Sequence, residues 1–367
     1  MSGPLTVGVP VEIKTDERRV ALTPDGVREL RRRDVPVLVE RGAGEAAGLP
    51  DEEYAAAGAE VVRTAEEVWE RASLVCKVKE PQVSEVPYLR PDLTLFTFLH
   101  LAAYPKVARA LCDSGATGIA YETVMRPDGQ LPLLAPMSEI AGRMAVQVGA
   151  RFLEATQGGR GVLLGGAAGV RPSNVVVVGA GNVGWNAVGV AAGFGAQVQV
   201  MDLDLERLRE LDRIRPGSVV TVASNQGTLE RCIAEADLVI GAVLVAGSRA
   251  PVVVTEDMVR AMRPGSVIVD VAIDQGGCVE TSRETTHQDP VIDVHGVLHY
   301  AVGNIPGAVP HTATFALTNA TLPYVVQLAM LGTEEACRRD PSLASGVNVA
   351  GGEVVNPAVA EAVDGMV

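Results

Sequence analysis

Aromatic side chains are scarce: Phe, Tyr and Trp make up 4% of the 367 residues. A core with so few of them must come from Val, Ala and Leu, which suits tightly packed α/β layers. Positive charge is also in short supply. Lys and Arg number 31 against 45 Asp and Glu, a formal net charge of −14. A chain that acidic repels phosphate backbones, so no nucleic-acid partner is expected. Cysteine is sparse, odd in number and scattered. Cys76, Cys112, Cys232, Cys278 and Cys337 show no paired spacing and read as reduced thiols of a cytoplasmic protein. The longest apolar run, "LVIGAVLVAG" at 238–247, falls well short of the ~20 residues of a membrane span. The opening "MSGPLTVGVPVEIKTDERR" lacks a basic leader followed by an apolar stretch, so no signal peptide is expected. Internal repeats, a P-loop lysine motif and a serine nucleophile elbow are all missing.

What is present is ample core material, with 47% hydrophobic residues and a mean hydropathy of +0.21. The length exceeds what one core holds, so two domains are expected. Over residues 1–130, short apolar runs alternate with helical patterns, which predicts a parallel sheet with helices on both faces. "TPDGVRELRRR" reads as a helix capped by Thr23 with Pro24 in its first turn. "TAEEVWERA" carries a capping-box pattern in Thr64 and Glu67. "LVCKVKEP" and "LTLFTFLH" read as buried strands. Residues 136–155 read as a long helix, and the glycine-dense "TQGGRGVLLGGAAGVRPSN" as a connector between domains. A second alternating set runs from 175 to about 305, and its six strands fit the two βαβαβ halves of a Rossmann domain. After Pro306 comes a helical pattern interrupted by Pro323. The weakly patterned C-terminal segment is expected to return to the first domain.

The most informative stretch is "VVVVGAGNVGWNAVGVAAGFGAQVQVMD", residues 175–202. Gly179 allows a tight turn, Gly181 lets backbone approach a pyrophosphate, and Gly184 lets helix pack on strand. The phosphates then meet the N-terminus of a helix starting near Asn182. Such a turn alone is weak, but this one follows a strand, opens a helix and has Asp202 about 20 residues on. A carboxylate there accepts from ribose hydroxyls and repels a 2′-phosphate, so NAD is expected rather than NADP, with Asp204 as the alternative.

In open α/β sheets, ligands bind beyond the carboxyl ends of strands, and several strands here finish on polar groups. His100 directly follows an apolar strand, as a general acid/base or as a partly buried histidine. Asp274, before Gly276 and Gly277, reads as a carboxylate near the nicotinamide or as a turn residue. Asp270 is the less exposed alternative. Lys77 and Lys79 project to one face of a strand, which fits a substrate site or a surface edge strand equally well. Arg18 and Arg19 read as a solvated loop or as a carboxylate clamp. His295 and His299 lie on what reads as a single strand, too far apart for one zinc, so no metal is expected.

Together these pieces resemble the bacterial alanine dehydrogenase family over nearly the whole chain. The matching stretches are "VGVPVEIKTDERRVALTPDGV", "LVCKVKEP", "LFTFLHLA", "APMSEIAGRMAVQVGA", "GGRGVLLGG", "VVVVGAGNVGWNA", "ADLVIGAVLV", "VIVDVAIDQGGCVE" and "VPHTATFALTNATLPYV". The resemblance implies an α/β fold of two Rossmann-like domains with doubly wound parallel sheets. It implies an NAD domain at 133–307 inserted into a discontinuous substrate domain at 1–132 plus 308–367. The implied activity is reversible NAD-dependent oxidation of L-alanine to pyruvate and ammonium, in a cytoplasmic homo-oligomer, typically a hexamer, without a membrane partner. Arg19 and Lys79 are implied to bind substrate, with His100 and Asp274 as the catalytic pair. Ser138, Asn182, Val183, Asp202, Arg207, Ser224, Val243, Leu244, Asn304 and Ile305 are implied to line the NAD site beside the three glycines. Phe98 departs from a common tyrosine, Ile305 from a common methionine and His311 from a basic residue, and the last thirty or so residues match poorly. Rival readings are a transhydrogenase NAD-binding subunit, an opine dehydrogenase and a non-catalytic NAD-binding redox sensor.

Overall fold

The computed structural model describes residues 3–214, 217, 219–243 and 250–364. The chain forms two compact units, one from Met1–Met137 with Val309–Val367, the other from Ser138–Ala308. In the first, β1 (Val7–Val9), β2 (Val37–Glu40), β3 (Glu60–Val62), β4 (Leu74–Cys76), β5 (Thr94–Thr97) and β6 (Thr117–Ala120) pair in parallel, in the order β3-β2-β1-β4-β5-β6. Every residue of β1, β4 and β5 is buried. That is the signature of strands covered on both faces.

Helices α1 (Pro24–Arg31), α2 (Asp51–Ala57), α3 (Ala65–Arg71) and α4 (Pro105–Ser114) occupy the crossovers. Thr23 caps α1, its hydroxyl accepting from Gly26 N at 3.2 Å. Thr64 caps α3. Glu67 reaches back to the amide of Arg63 rather than that of Thr64, so the expected box is displaced by one residue.

The second unit begins within α5 (Ala135–Phe152). Its strands are β7 (Asn174–Val178), β8 (Gln197–Asp202), β9 (Val219–Ala223), β10 (Leu238–Gly241), β11 (Val267–Asp270), β12 (Val291–Val294) and β13 (Val297–Tyr300). They lie in the order β9-β8-β7-β10-β11-β13-β12, all parallel except β12 at the edge. Helices α6 (Asn182–Gly193), α7 (Leu205–Ile214), α8 (Gln226–Glu235) and α9 (Glu256–Ala261) complete its layers. Both parallel sheets thus carry the 3-2-1-4-5-6 order of the dinucleotide-binding fold. Glycine lets layers meet closely: a Cβ on Gly149 of α5 would fall 2.6 Å from Leu238.

Three local expectations are corrected. The segment 291–300 is not one strand but a hairpin, with Val294 opposite Val297. Its two turn residues, His295 and Gly296, both take positive φ, +58° and +78°, as a two-residue hairpin demands. The glycine-dense loop after α5 lies inside the second unit rather than between units. Pro323 does not break its helix: α10 (Pro310–Leu331) is continuous through it.

By length and composition alone, α10 could cross a membrane. It packs instead against α1 and β4, with Leu317, Val325 and Leu328 buried, which is the behaviour of a core helix. Beyond it, β14 (Val347–Ala350) pairs antiparallel with β6, and β15 (Glu353–Val354) pairs with β14.

Lys77 follows β4 and is completely buried. β4 lies between β1 and β5, so the edge-strand reading of the two lysines fails. The Lys77 ammonium sits 3.1 Å from Glu12 and 2.9 Å from Glu85, both buried. Burial pulls its pKa down, but these carboxylates outweigh that and hold it above the ordinary lysine value. Removing the cation strands two buried acids. Lys77→Met should therefore cost about 3–5 kcal/mol, read by urea unfolding; an unchanged midpoint would refute the ion-pair assignment.

Candidate functional site

In the second unit, β7 runs into the glycine turn and α6. Gly179 has φ +107°, and a Cβ there would fall 2.6 Å from Ala242 O. At Gly184 a Cβ would lie 1.8 Å from Gly179 O, so this glycine is forced by helix–strand contact. Gly181 is different: a Cβ there meets only an Arg207 guanidinium nitrogen at 3.9 Å. Its open face is where a ligand backbone can approach. Gly181 itself stands at the N-cap of α6, and no side chain caps that end. The leading amides, among them those of Asn182 and Val183, suit an anion. A dinucleotide pyrophosphate fits this cradle.

Asp202 ends β8. Its carboxylate accepts from Ala180 N at 2.6 Å and Asp204 N at 2.8 Å, and Arg207 lies 3.8 Å away. Its carbonyl accepts from Ser224 N at 2.9 Å. Asp202, Arg207 and Ser224 therefore gather beside the glycine turn. Asp204 shares Arg207 at 3.5 Å. Val243 packs partly buried against the core beneath β10. Leu244 lies outside the described residues. Ser138 is half-buried on α5. A Cβ on Gly142, one turn further along α5, would fall 2.1 Å from Val183 O, so α5 abuts the start of α6.

Asp270 and Asp274 divide cleanly. Asp270 is fully buried and accepts from the amides of Ala272, Cys278 and Val279. That makes it the structural acid of the β11 end. Asp274 is exposed in a short 3-10 turn, where it accepts from Asn304 N at 3.1 Å. Asn304 takes φ +60°, and Ile305 beside it is buried.

The first unit gathers Arg19, Lys79 and His100. Arg19 is 2% exposed, so the solvated-loop reading fails for it, whereas Arg18 is exposed as that reading expected. Its guanidinium meets Glu17 at 2.7 and 2.5 Å, and its third nitrogen lies 2.9 Å from Met137 Sδ. Burial pushes Glu17 up, but the charge and hydrogen bonds of Arg19, aided by Lys79, bring it down to about 2. Lys79 is buried, and its carbonyl accepts from Thr97 Oγ1 at 2.9 Å. Spacing alone does not separate the two lysines and both are buried; their surroundings differ, since Lys77 is paired with Glu12 and Glu85 while the charge of Lys79 acts on His100.

His100 sits just past β5 with φ +47°. Its ring stacks on Phe98 at 5.6 Å, nearly parallel. Burial, then the charges of Lys79, Lys14 and Arg19, lower its pKa to about 3. The imidazole is therefore neutral at pH 7, as a base for an amine must be. Two groups escaped the sequence reading. Lys14 pairs with Glu80 at 2.6 Å and lies over the Tyr104 ring. Glu122, in the 3-10 turn after β6, accepts from His100 N at 2.6 Å. Neither carries a local motif. The hairpin histidines go elsewhere: His295 to Glu256 at 2.7 Å and His299 to Thr281 at 2.8 Å. His311 begins α10 beside Phe315.

Two Rossmann-type units, one bearing a dinucleotide cradle and the other a buried cluster of cations around a neutral imidazole, define a dinucleotide-dependent oxidoreductase. Residues 8–141 match the family described as alanine dehydrogenase/PNT, N-terminal domain, and residues 145–357 its C-terminal domain. The chain belongs to the alanine dehydrogenase/PNT family. It is 53% identical to an alanine dehydrogenase of Mycolicibacterium smegmatis over 98% of its length and 97% of that protein's. A solved L-alanine dehydrogenase is similar with a TM-score of 0.95 at 51% identity, covering 99% of this chain and 100% of that one. A transhydrogenase from Sinorhizobium meliloti gives a TM-score of 0.81 at 25% identity, over 96% and 99%.

Two outcomes follow. Gly181→Ala should keep near-normal stability yet weaken NAD⁺ binding, whereas Gly184→Ala should fail to fold stably; calorimetry and NAD⁺ titration separate them. The folded state holds His100 well below the ordinary 6.5, so between pH 6.5 and 3 the unfolded chain binds a proton that the fold refuses. Wild type should therefore lose unfolding free energy relative to His100→Asn as pH falls from 7.5 to 5. An unchanged difference would show that His100 titrates normally.

Proposed function

We propose that this chain catalyses the reversible conversion of L-alanine, NAD⁺ and water to pyruvate, ammonium and NADH. The observation that carries this reading is the likeness to alanine dehydrogenases at about half identity across both units. The transhydrogenase likeness is weaker in both sequence and backbone.

The nicotinamide supplies the hydride acceptor. The chain's own groups do the rest. Gly179, Gly181 and Gly184, with the leading amides of α6 at Asn182 and Val183, bind the pyrophosphate. Asp202 accepts from the ribose hydroxyls, with Arg207 and Ser224 beside it. Ser138, Val243, Asn304 and Ile305 line the remainder.

Arg19 binds the substrate carboxylate with Glu17 as its standing counter-ion. Lys79 stabilises negative charge on the substrate oxygen as the carbinolamine collapses. His100, neutral, takes the amine proton and later manages protons as water attacks the imine. Asp274 orients that water. Unit 1 is the substrate domain, over 1–132 plus 308–367, and residues 133–307 are the inserted NAD domain. The working form is a cytoplasmic homo-oligomer, a hexamer by resemblance.

NADH absorbance with L-alanine tests the reading. Wild type should turn over, and His100→Ala and Asp274→Asn should each lose roughly 10²–10⁴-fold in kcat/KM. Tight NAD⁺ binding without alanine turnover would favour a redox sensor instead.

A further inference from the structure

We propose that Glu122 is the positioning residue of His100: its carboxylate holds the main chain of the histidine turn and faces the imidazole Nδ1, leaving Nε2 for the substrate amine. The inference rests on His100 being the base.

The first support is the backbone. His100 adopts φ +47°, a left-handed conformation uncommon for a residue with a side chain. Such a geometry persists only where its surroundings enforce it. Glu122 supplies that enforcement: one carboxylate accepts from Leu99 N at 3.3 Å and from His100 N at 2.6 Å. On the other side of the turn, the His100 carbonyl accepts from Ala103 N at 2.8 Å and Tyr104 N at 3.1 Å. Both halves of the peptide are thus fixed.

The second support is the ring. Phe98 stacks on its face with an interplanar angle of 4°. The edge bearing Nδ1 then lies 4.0 Å from Glu122 Oε1. Glu122 is mostly buried, with 16% of its side chain exposed. It is anchored in the 3-10 turn Tyr121–Thr123, whose first residue, Tyr121, packs on Phe98.

The third support is the charge around the ring. The loop after β1 brings Lys14 and Arg19, the segment after β4 brings Lys79, and the His100 turn itself brings Tyr104. Arg19 has Glu17 as its own partner, and Lys14 has Glu80. Among the described residues, Glu122 is the carboxylate within 4 Å of the imidazole. Burial pushes Glu122 upward, with three amides (its own and those of His100 and Leu99) and Lys79 opposing.

When Nε2 accepts the amine proton, an imidazolium forms among three cations. A carboxylate 4.0 Å from Nδ1 offsets that charge, and closing the gap to a hydrogen bond as the imidazolium forms places the remaining proton on Nδ1.

The test uses Glu122→Gln, whose amide oxygen still accepts from both main-chain amides while the charge is gone. Expected are a wild-type melting temperature and NAD⁺ affinity, and a kcat/KM lowered roughly 10-fold or more, a share of what an acid–base group contributes. The acid limb of the kcat/KM–pH profile should move to lower pH, because the imidazolium has lost its anion. Wild-type kcat/KM with an unshifted limb would overturn the proposal and leave Glu122 as a backbone acceptor. If the variant does not fold, ¹⁵N shifts of the His100 ring in the wild-type protein decide: an Nδ1–H tautomer supports the proposal and an Nε2–H tautomer overturns it. That measurement needs no turnover. A wild type inert toward alanine would sink the functional reading, while the ring shifts would still judge Glu122.

Discussion

The cost of burying positive charge governs the first unit. Arg19 and Lys77 are almost fully enclosed, and a buried cation persists only where acids are built in beside it. The chain meets this with Glu17 against Arg19 and with Glu12 and Glu85 against Lys77. Those acids come from the loop after β1 and the segments after β4, so the pairs also tie these loops together. Lys79, two residues beyond the enclosed Lys77, is delivered by the same arrangement.

Burial has a second effect in this unit. Burial first, and then the charges of Lys79, Lys14 and Arg19, make the protonated imidazole unfavourable, so His100 stays neutral without any catalytic step having occurred. A carboxylate substrate entering this field would partly cancel it and ease proton uptake by the ring.

The glycine turn was legible in the sequence because it is local. Gly179, Gly181, Gly184 and Asp202 fall within one strand–helix–strand unit, and each has its own steric or polar reason. The substrate side was legible only as residue types at strand ends. Spacing could not separate Lys77 from Lys79, since both share one face; the resemblance singled out Lys79, and in three dimensions Lys77 is taken by Glu12 and Glu85. Glu122 was invisible because its partner lies 22 residues upstream in the chain and its own segment reads as ordinary strand. The 291–300 hairpin was missed because its turn is His-Gly rather than the Asn-Gly or Asp-Gly that usually signals φ > 0. The tail looked patternless because β14 has four residues and β15 only two, with little room to show an alternation.

The pairing of β14 with β6 bears on how the polypeptide is made. On the ribosome, domains generally fold as they emerge, N-terminal parts first. Here the second unit has all its strands before residue 309 is synthesised, whereas the first unit cannot complete its sheet until residues 347–354 have been added. The order of birth is thus inverted: the part begun first is finished last, and the nascent β6 edge waits exposed for most of translation.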